Sequence, residues 1–217
     1  MSLALEQALL DEFASAERAP RTIVWESKPA LIVSPSDRLL PRFENAANAS
    51  AVDGWPVSVR PSGGSAVALG PGVVNLSVIT SWRGTAPPLA QGFDLVCAPI
   101  IAVLARFGVA ATLGPAPGSF CDGKCNVLVN GRKIAGTAQR RTRRGEGGAL
   151  LAHAMVIVDA DPIELTRVVA RFYERAGSDK TFAAGAVTSL AQCVAGSTVD
   201  NLRATFAGLL GTGSRSS

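Results

Sequence analysis

Leu3, Leu5, Ala8, Leu9 and Phe13 recur at helical spacing, which predicts an amphipathic helix from about Leu3 to Ala16. Short apolar runs at Thr22 to Trp25 and Ala30 to Ser34 read as strands. The Ala- and Asn-rich segment Arg42 to Ala51 reads as a helix ending before Gly54, and Pro56 to Arg60 as a short strand running into glycines. Val73 to Thr80 is a further strand. From Leu89 to Phe107, Phe93, Val96, Cys97, Ile100, Ile101, Val103 and Leu104 make the apolar face of a core helix. Pro99 is expected to kink that helix or delay its start.

A Gly- and Pro-rich loop, Gly114 to Gly123, leads to the clearest local signal in the chain. Val127 to Val129, the pair Asn130-Gly131, and Arg132 to Ala135 spell a β-hairpin, because Asn-Gly suits the positive φ angles of a type I′ turn. Period-two alternation along the return strand predicts Lys133, Ala135, Thr137 and Gln139 on one face and Ile134, Gly136 and Ala138 on the other. So many small residues on a strand imply that something approaches its backbone closely. Beyond the basic cluster Arg140, Arg141, Arg143 and Arg144, a strand from about Leu150 to Val158 carries the only histidine, His153. Asp161 and Pro162 are cap and first residue of a helix to about Ala176, one or two helices fill Val187 to Leu210, and Gly211 to Ser217 reads as a frayed tail. Antiparallel strands with irregularly interspersed helices predict an α+β fold, with residues 1–217 as one domain.

Composition narrows the class further. With 217 residues, 47% hydrophobic and 18% charged, the chain is neither disordered nor collagen-like, and it can bury a core without disulfides or metal. The four cysteines, Cys97, Cys121, Cys125 and Cys193, are therefore expected as reduced thiols. Met1 to Arg18 lacks the basic-then-apolar order of a signal peptide, and the longest apolar runs are short of a membrane span, so a cytoplasmic protein with no membrane partner is expected. The net charge of +4 comes from 21 cationic residues, only four of them lysines: Lys28, Lys124, Lys133 and Lys180. Without aromatics interleaved among the arginines, nucleic acid is not an expected partner.

Three places can carry chemistry. Arg60-Pro61-Ser62-Gly63-Gly64-Ser65-Ala66-Val67 follows a strand with a cation, hydroxyls and a glycine pair, which either cradles an anion or is an ordinary turn; its glycine spacing fits neither a Walker loop nor a dinucleotide fingerprint. Lys133, flanked by Ile134, Ala135 and Gly136, either meets an anionic partner in the interior or sits exposed near the hairpin turn. Cys121 beside Lys124 and Lys133 is either an activated thiol or a small residue packed under a loop. For Cys97 and Cys193 packing on helical faces is the better reading, and for His153 a hydrogen-bonded structural or pocket role. No metal site is expected, since Cys121 and Cys125 lack two further ligands. The cluster Arg140 to Arg144 is either a solvated hairpin tip or a dock for an acidic carrier surface.

Arg60 to Val67 resembles the Arg-x-Ser-Gly-Gly-Gly-Ala-Val loop of the lipoate-protein ligase and octanoyltransferase family, with Ser65 in place of the third glycine. Val73 to Leu76, with Asn75, continues the motif. Lys133-Ile134-Ala135-Gly136-Thr137-Ala138 is similar to the family's Lys-x-x-Gly-Ser/Thr-Ala core, the strand through His153 to its His-Gly-Thr strand, and Val187 to Leu190 to its Val-Thr-x-Leu segment. The resemblance implies the fold shared with biotin protein ligases, a central mixed, largely antiparallel sheet with flanking helices. It also implies acyl transfer to a lysine of a lipoyl domain or glycine cleavage H-type acceptor protein.

In ligases of that family, lipoate or octanoate reacts with ATP and Mg²⁺ to give acyl-AMP, which the acceptor lysine attacks. By that analogy Arg60, Ser65, Ala66, Val67 and Ala68 hold the phosphate side, and Lys133 bridges the acyl carbonyl and the α-phosphate. Thr137 and Ala138 line the acyl pocket beside it, and Ser62, Gly63 and Gly64 belong to the same nucleotide and acyl site, which Asn75, Gly136 and His153 complete. Three departures stand out: Leu69-Gly70 replaces the family's His-Asp, Cys125-Asn126 its Asn-Asp, and Ala154 the glycine after the histidine. The extra C-terminal domain of many ligases is not in the sequence, so a separate accessory domain is one expectation. The rival reading is an ATP-independent octanoyltransferase that takes octanoate from an acyl carrier protein onto Cys121, as some members do with a cysteine in the loop before this hairpin. A relative that only binds an acyl group or carrier is the third. The ligase through acyl-AMP is the first expectation of the sequence.

Overall fold

The computed structural model describes residues 3–212, and its centre is an antiparallel sheet in the order β1-β5-β9-β8-β7-β6. Its long members are β5 (Val73–Arg83), β8 (Arg132–Arg144) and β9 (Gly147–Ile157); β1 (Arg21–Trp25), β7 (Asn126–Val129) and β6 (Thr112–Gly114) flank them. A second sheet, β3-β2-β4, joins β2 (Ala30–Val33) parallel to β3 (Val57–Val59) and antiparallel to β4 (Val67–Leu69). Together they give the expected α+β fold, in which only the small sheet mixes strand directions.

Alternation along the central strands sorts their side chains. Val74, Leu76 and Val78 of β5 and Ala152, Ala154 and Val156 of β9 belong to a core with α3 (Leu89–Arg106) and α6 (Val199–Thr212). The opposite face meets the small sheet, α2 (Phe43–Val52) and α4 (Pro162–Ala176), and at its far end α1 (Leu3–Ser15). Helix α3 is long and apolar enough by composition to cross a membrane, but its Val96, Cys97, Ile100, Val103 and Leu104 are packed on the sheet. It runs through Pro99 without interruption, neither delayed nor ended there. The Asp161 carboxylate accepts from the Ile163 N–H at 2.9 Å, Pro162 opens α4, and Gly177 at φ +79° closes it, matching the cap that the sequence predicts.

Several elements differ from expectation. The arginine cluster ends β8 in its hairpin with β9, whose turn falls at Gly145-Glu146: Arg143 and Arg144 are exposed beside that turn, as a solvated tip would be, while Arg140 and Arg141 are half-buried farther along the strand. Strands β4 and β6 arise at positions to which the sequence assigns no strand. After the bridge between Val187 and Lys133 comes a one-turn helix, α5 (Leu190–Cys193), on which Cys193 is exposed rather than packed. Of the expected tail, Gly211 and Thr212 end α6, and 213–217 lie outside the described residues.

The most consequential difference is a bulge. Asn130 (φ 50°) and Gly131 (φ 74°) form the predicted turn, but the pairing of β7 with β8 slips by one residue between Val127 and Leu128. Ile134 and Ala135 both enter the core under α3, and Lys133 changes sides. It shares the pocket face with Gly136, where an added Cβ would lie 2.9 Å from Lys133 Cε. The close approach implied by the small residues is that of the lysine's own side chain.

Candidate functional site

Between the central sheet and the small sheet lies a pocket lined mainly by apolar groups, among them Trp25, Ile32, Val67, Leu69, Ala138 and Met155. Asn75, Gly136, Thr137 and His153 come to it from the central strands, Arg60 and Cys121 from loops, and Glu6 from α1. Register explains the convergence: Asn75 pairs with Met155, Ser77 with His153, Gly136 with Met155 and Ala138 with His153, all on neighbouring strands.

Cys121 is in the left-handed region at φ 48°, uncommon for a residue with a Cβ, and its sulfur is directed at the glycine-rich loop. The Ser65 N–H donates to Sγ at 3.3 Å and Arg60 Nη2 lies 3.7 Å from it. A Cβ on Gly64, itself at φ +103°, would sit 2.8 Å from that sulfur and 2.8 Å from Arg60 Nη2. Glycine is therefore required there both by the backbone and by the thiol. The thiol sits half-buried between two N–H donors, the Ser65 backbone and the Arg60 guanidinium, which fix the direction of its sulfur.

The loop is braced from two sides. Arg60 is buried, and its guanidinium donates to the carbonyls of Ile32, Gly63 and Ser65 at 2.7 to 3.2 Å. On the other side the hydroxyl of Tyr173 accepts from the Ala66 N–H and donates to the buried Asp37, both at 2.8 Å. Burial, together with the Asp37 carboxylate, pushes the Tyr173 phenol above its ordinary range, so it stays a donor. Lys180 lies over the Tyr173 ring, 4.4 Å from its centroid, and 3.6 Å from Asp37.

Lys133 is wholly buried and does not line the pocket. Its ammonium donates to the carbonyls of Phe120 and Cys121 at 2.7 and 2.8 Å and lies 5.2 Å from the centre of the Phe120 ring. Desolvation pushes it down to about 8, with Cys121 and Asp122 opposing that fall. Asp122 accepts from the Ala116 N–H and from Asn126, and Thr137 donates to the Cys125 carbonyl, so the loop carrying Cys121 is fastened along its length. Burial pushes the Cys97 thiol up to about 12, which leaves it inert.

A second polar chain is only half legible in the sequence. His153 stands out there as the only histidine, whereas Glu6 does not, although it is the one acid on the α1 stripe continued by Leu9, Leu10 and Phe13. Glu6 accepts from the Ser77 hydroxyl at 2.6 Å, and Ser77 accepts from Trp25 Nε1 at 3.0 Å. Burial opposes charge on Glu6, but His153 and Ser77 outweigh it and hold the carboxyl below its ordinary range.

These contacts bear on the phosphate assignments. Ser62, Gly63, Gly64 and Ser65 surround Arg60, Cys121 and His153, while Ala66 and Ala68 are packed in the core behind them. The Arg60 N–H groups are engaged by protein carbonyls, and the carboxylate on the pocket wall, Glu6, is already hydrogen-bonded. With a mainly apolar lining, this donor set does not fit a triphosphate with Mg²⁺, which needs free cationic donors and carboxylate or water ligands. It fits an aliphatic acyl chain ending beside a thiol.

The chain is 36% identical over 191 residues to an octanoyl-GcvH:protein N-octanoyltransferase of Kyrpidia tusciae, an alignment covering 83% of this chain and 65% of the relative. A protein of the same name from Geobacillus kaustophilus is 29% identical, with 84% and 64% covered. The chain thus spans about two thirds of the length of these curated relatives. Among solved structures, a lipoate-protein ligase A bound with ATP superposes with a TM-score of 0.71 at 20% identity, covering 97% of this chain and 80% of the other. A bipartite lipoate protein ligase of Thermoplasma acidophilum gives 0.69 at 20% identity, covering 96% and 78%, and both establish the shared fold. A family model of the lipoyl protein ligase A/B catalytic domain matches residues 1–208, and the chain belongs to that family.

Proposed function

We propose that the protein is an ATP-independent acyltransferase, moving an octanoyl or lipoyl group between lysines of H-type and lipoyl-domain carriers through a thioester on Cys121. The observation that carries this reading is the Cys121 thiol on the pocket wall, facing the Ser65 N–H at 3.3 Å and tethered through its carbonyl to Lys133. An acyl carbonyl carried to that sulfur meets the same donors, which hold the sulfur in line for attack and for collapse of the tetrahedral intermediate. Lys133 acts behind the loop, fixing the direction of the thiol. The names of the relatives support a GcvH-type carrier, and a reactive thiol suits the reducing cytoplasm.

Intact-protein mass spectrometry tests the reading. The protein is incubated with an octanoylated H-type carrier, with an octanoyl thioester, or with octanoate, ATP and Mg²⁺, and then with an unmodified lipoyl domain. The expected result is an octanoyl adduct on Cys121 and a modified lipoyl domain in the first two mixtures. Modification only with ATP would replace the thioester by acyl-AMP. Tight acyl binding without turnover in any mixture would select the non-catalytic relative.

A further inference from the structure

Three side chains from separate parts of the chain stand in a row where the pocket meets a smaller cleft: Glu6 and His153 line both, and Ser62 lines the cleft. Ser62 Oγ lies 3.0 Å from His153 Nε2, and His153 Nδ1 lies 3.4 Å from Glu6 Oε2. Glu6 and Ser62 are each 3% exposed, whereas the imidazole keeps 18% of its surface open. A buried carboxylate is costly where an aliphatic residue would serve α1 as well, so its orientation by Ser77 and Trp25 calls for a reason. With Nδ1–H directed at Glu6, Nε2 presents its lone pair to the Ser62 hydroxyl.

Acyl transfer between lysines poses a proton problem that the thiol does not solve. An attacking amine must shed a proton, and a leaving amine must gain one. Lys133 is wholly buried with its ammonium on two carbonyls, and the Arg60 guanidinium does not deprotonate. Among the described residues lining the pocket, His153 carries the side chain suited to both tasks near neutral pH.

We infer that Ser62, His153 and Glu6 form a proton relay serving the amine nitrogen of the carrier lysine. This rests on the thioester reading above. In the transfer step the acceptor amine nitrogen bonds to the acyl carbon while the carbon–sulfur bond breaks, and the electron pair of that bond stays on Cys121. One amine proton passes to Ser62 Oγ as the hydroxyl proton passes to His153 Nε2, and Glu6 stabilises the imidazolium. The imidazolium then returns its proton to the thiolate, restoring both groups. Run backwards, the relay protonates the lysine that leaves an acylated donor.

Separating the two half-reactions tests this. Octanoyl-pantetheine loads Cys121 without any amine, and a lipoyl domain then receives the group; both steps are followed by intact mass. In His153→Gln and Glu6→Gln, loading is expected to stay within about threefold of wild type while transfer to the lysine slows by about 100-fold. Ser62→Ala is expected to slow transfer by about tenfold, and added imidazole to restore at least about tenfold of it in His153→Gly. Transfer within threefold of wild type in the Gln variants would overturn the relay. So would equal loss of both steps without imidazole rescue, which marks a purely structural role. Wild-type protein that never acquires an adduct on Cys121 would overturn the thioester reading itself, a result visible without any variant.

Discussion

The two faces of the central sheet are built from the same strands and do opposite work. On β9, Ala152, Ala154 and Val156 pack under α3 with other aliphatic groups, whereas His153 and Met155 look into the pocket. On β5, Val74, Leu76 and Val78 share the first face, and Asn75 and Ser77 the second. A side-chain period of two lets one strand contribute to the core with every other residue and to chemistry with the rest. The polar groups of the pocket are held by specific hydrogen bonds, which fail singly and completely; the aliphatic face under α3 is held by many small contacts, which fail by degrees.

Substitutions on the two faces should therefore separate activity from stability. The largest effect is expected from Cys121→Ser, which should lower transfer by about a thousandfold or more in single-turnover assays with little change in Tm. A serine variant within tenfold of wild type would remove the thiol from the mechanism. Gly64→Ala comes next, since its Cβ would meet the sulfur and Arg60 at 2.8 Å. Transfer should fall by about 10- to 100-fold as the thiol is pushed aside, with a stability loss of roughly 1–3 kcal/mol from the forced positive φ.

Lys133→Met crosses the divide, because it leaves the Phe120 and Cys121 carbonyls unpaired and loosens the nucleophile. Its sharper signature is in pH. The folded-state value of about 8 lies below the 10.5 of the exposed ammonium, so the unfolded state holds more protons between those values. Wild-type stability should gain about 3 kcal/mol relative to the Met variant as pH rises from 8 to 10.5, read from paired denaturant titrations. A constant difference across that window would mean that the ammonium is not desolvated. The smallest functional effect is expected on the other face: Val156→Ala should destabilise by about 1–3 kcal/mol while kcat for transfer is unchanged.

Much of this division is legible in the sequence itself. Periodicity locates α1, α3 and α4 to within a residue or two, and Asn130-Gly131 fixes the hairpin, because those signals are local. What escapes is non-local. The bulge that moves Lys133 to the same face as Gly136 depends on how β7 pairs with β8, and a one-residue slip leaves no mark in the alternation itself. The three-residue strands β4 and β6 carry too few positions to show a period. Cys121, Arg60 and His153 are recognisable by type and motif, but Glu6 gains meaning only when α1 packs across the sheet, far from its partner in sequence. Arg60 shows the reverse: the motif locates it, while its engagement by carbonyls comes only from the folded loop.

The outer strands of the six-stranded sheet have a consequence for life in concentrated solution. Three of its four interior members, β5, β8 and β9, run for 11 to 13 residues and the fourth, β7, for four, but the edges are β1, five residues long, and β6, three. Pro20 precedes β1 and Pro115 follows β6, each denying a backbone donor where an alien strand would extend the ladder. The protein can thus keep its pocket open without offering its borders as a template for aggregation.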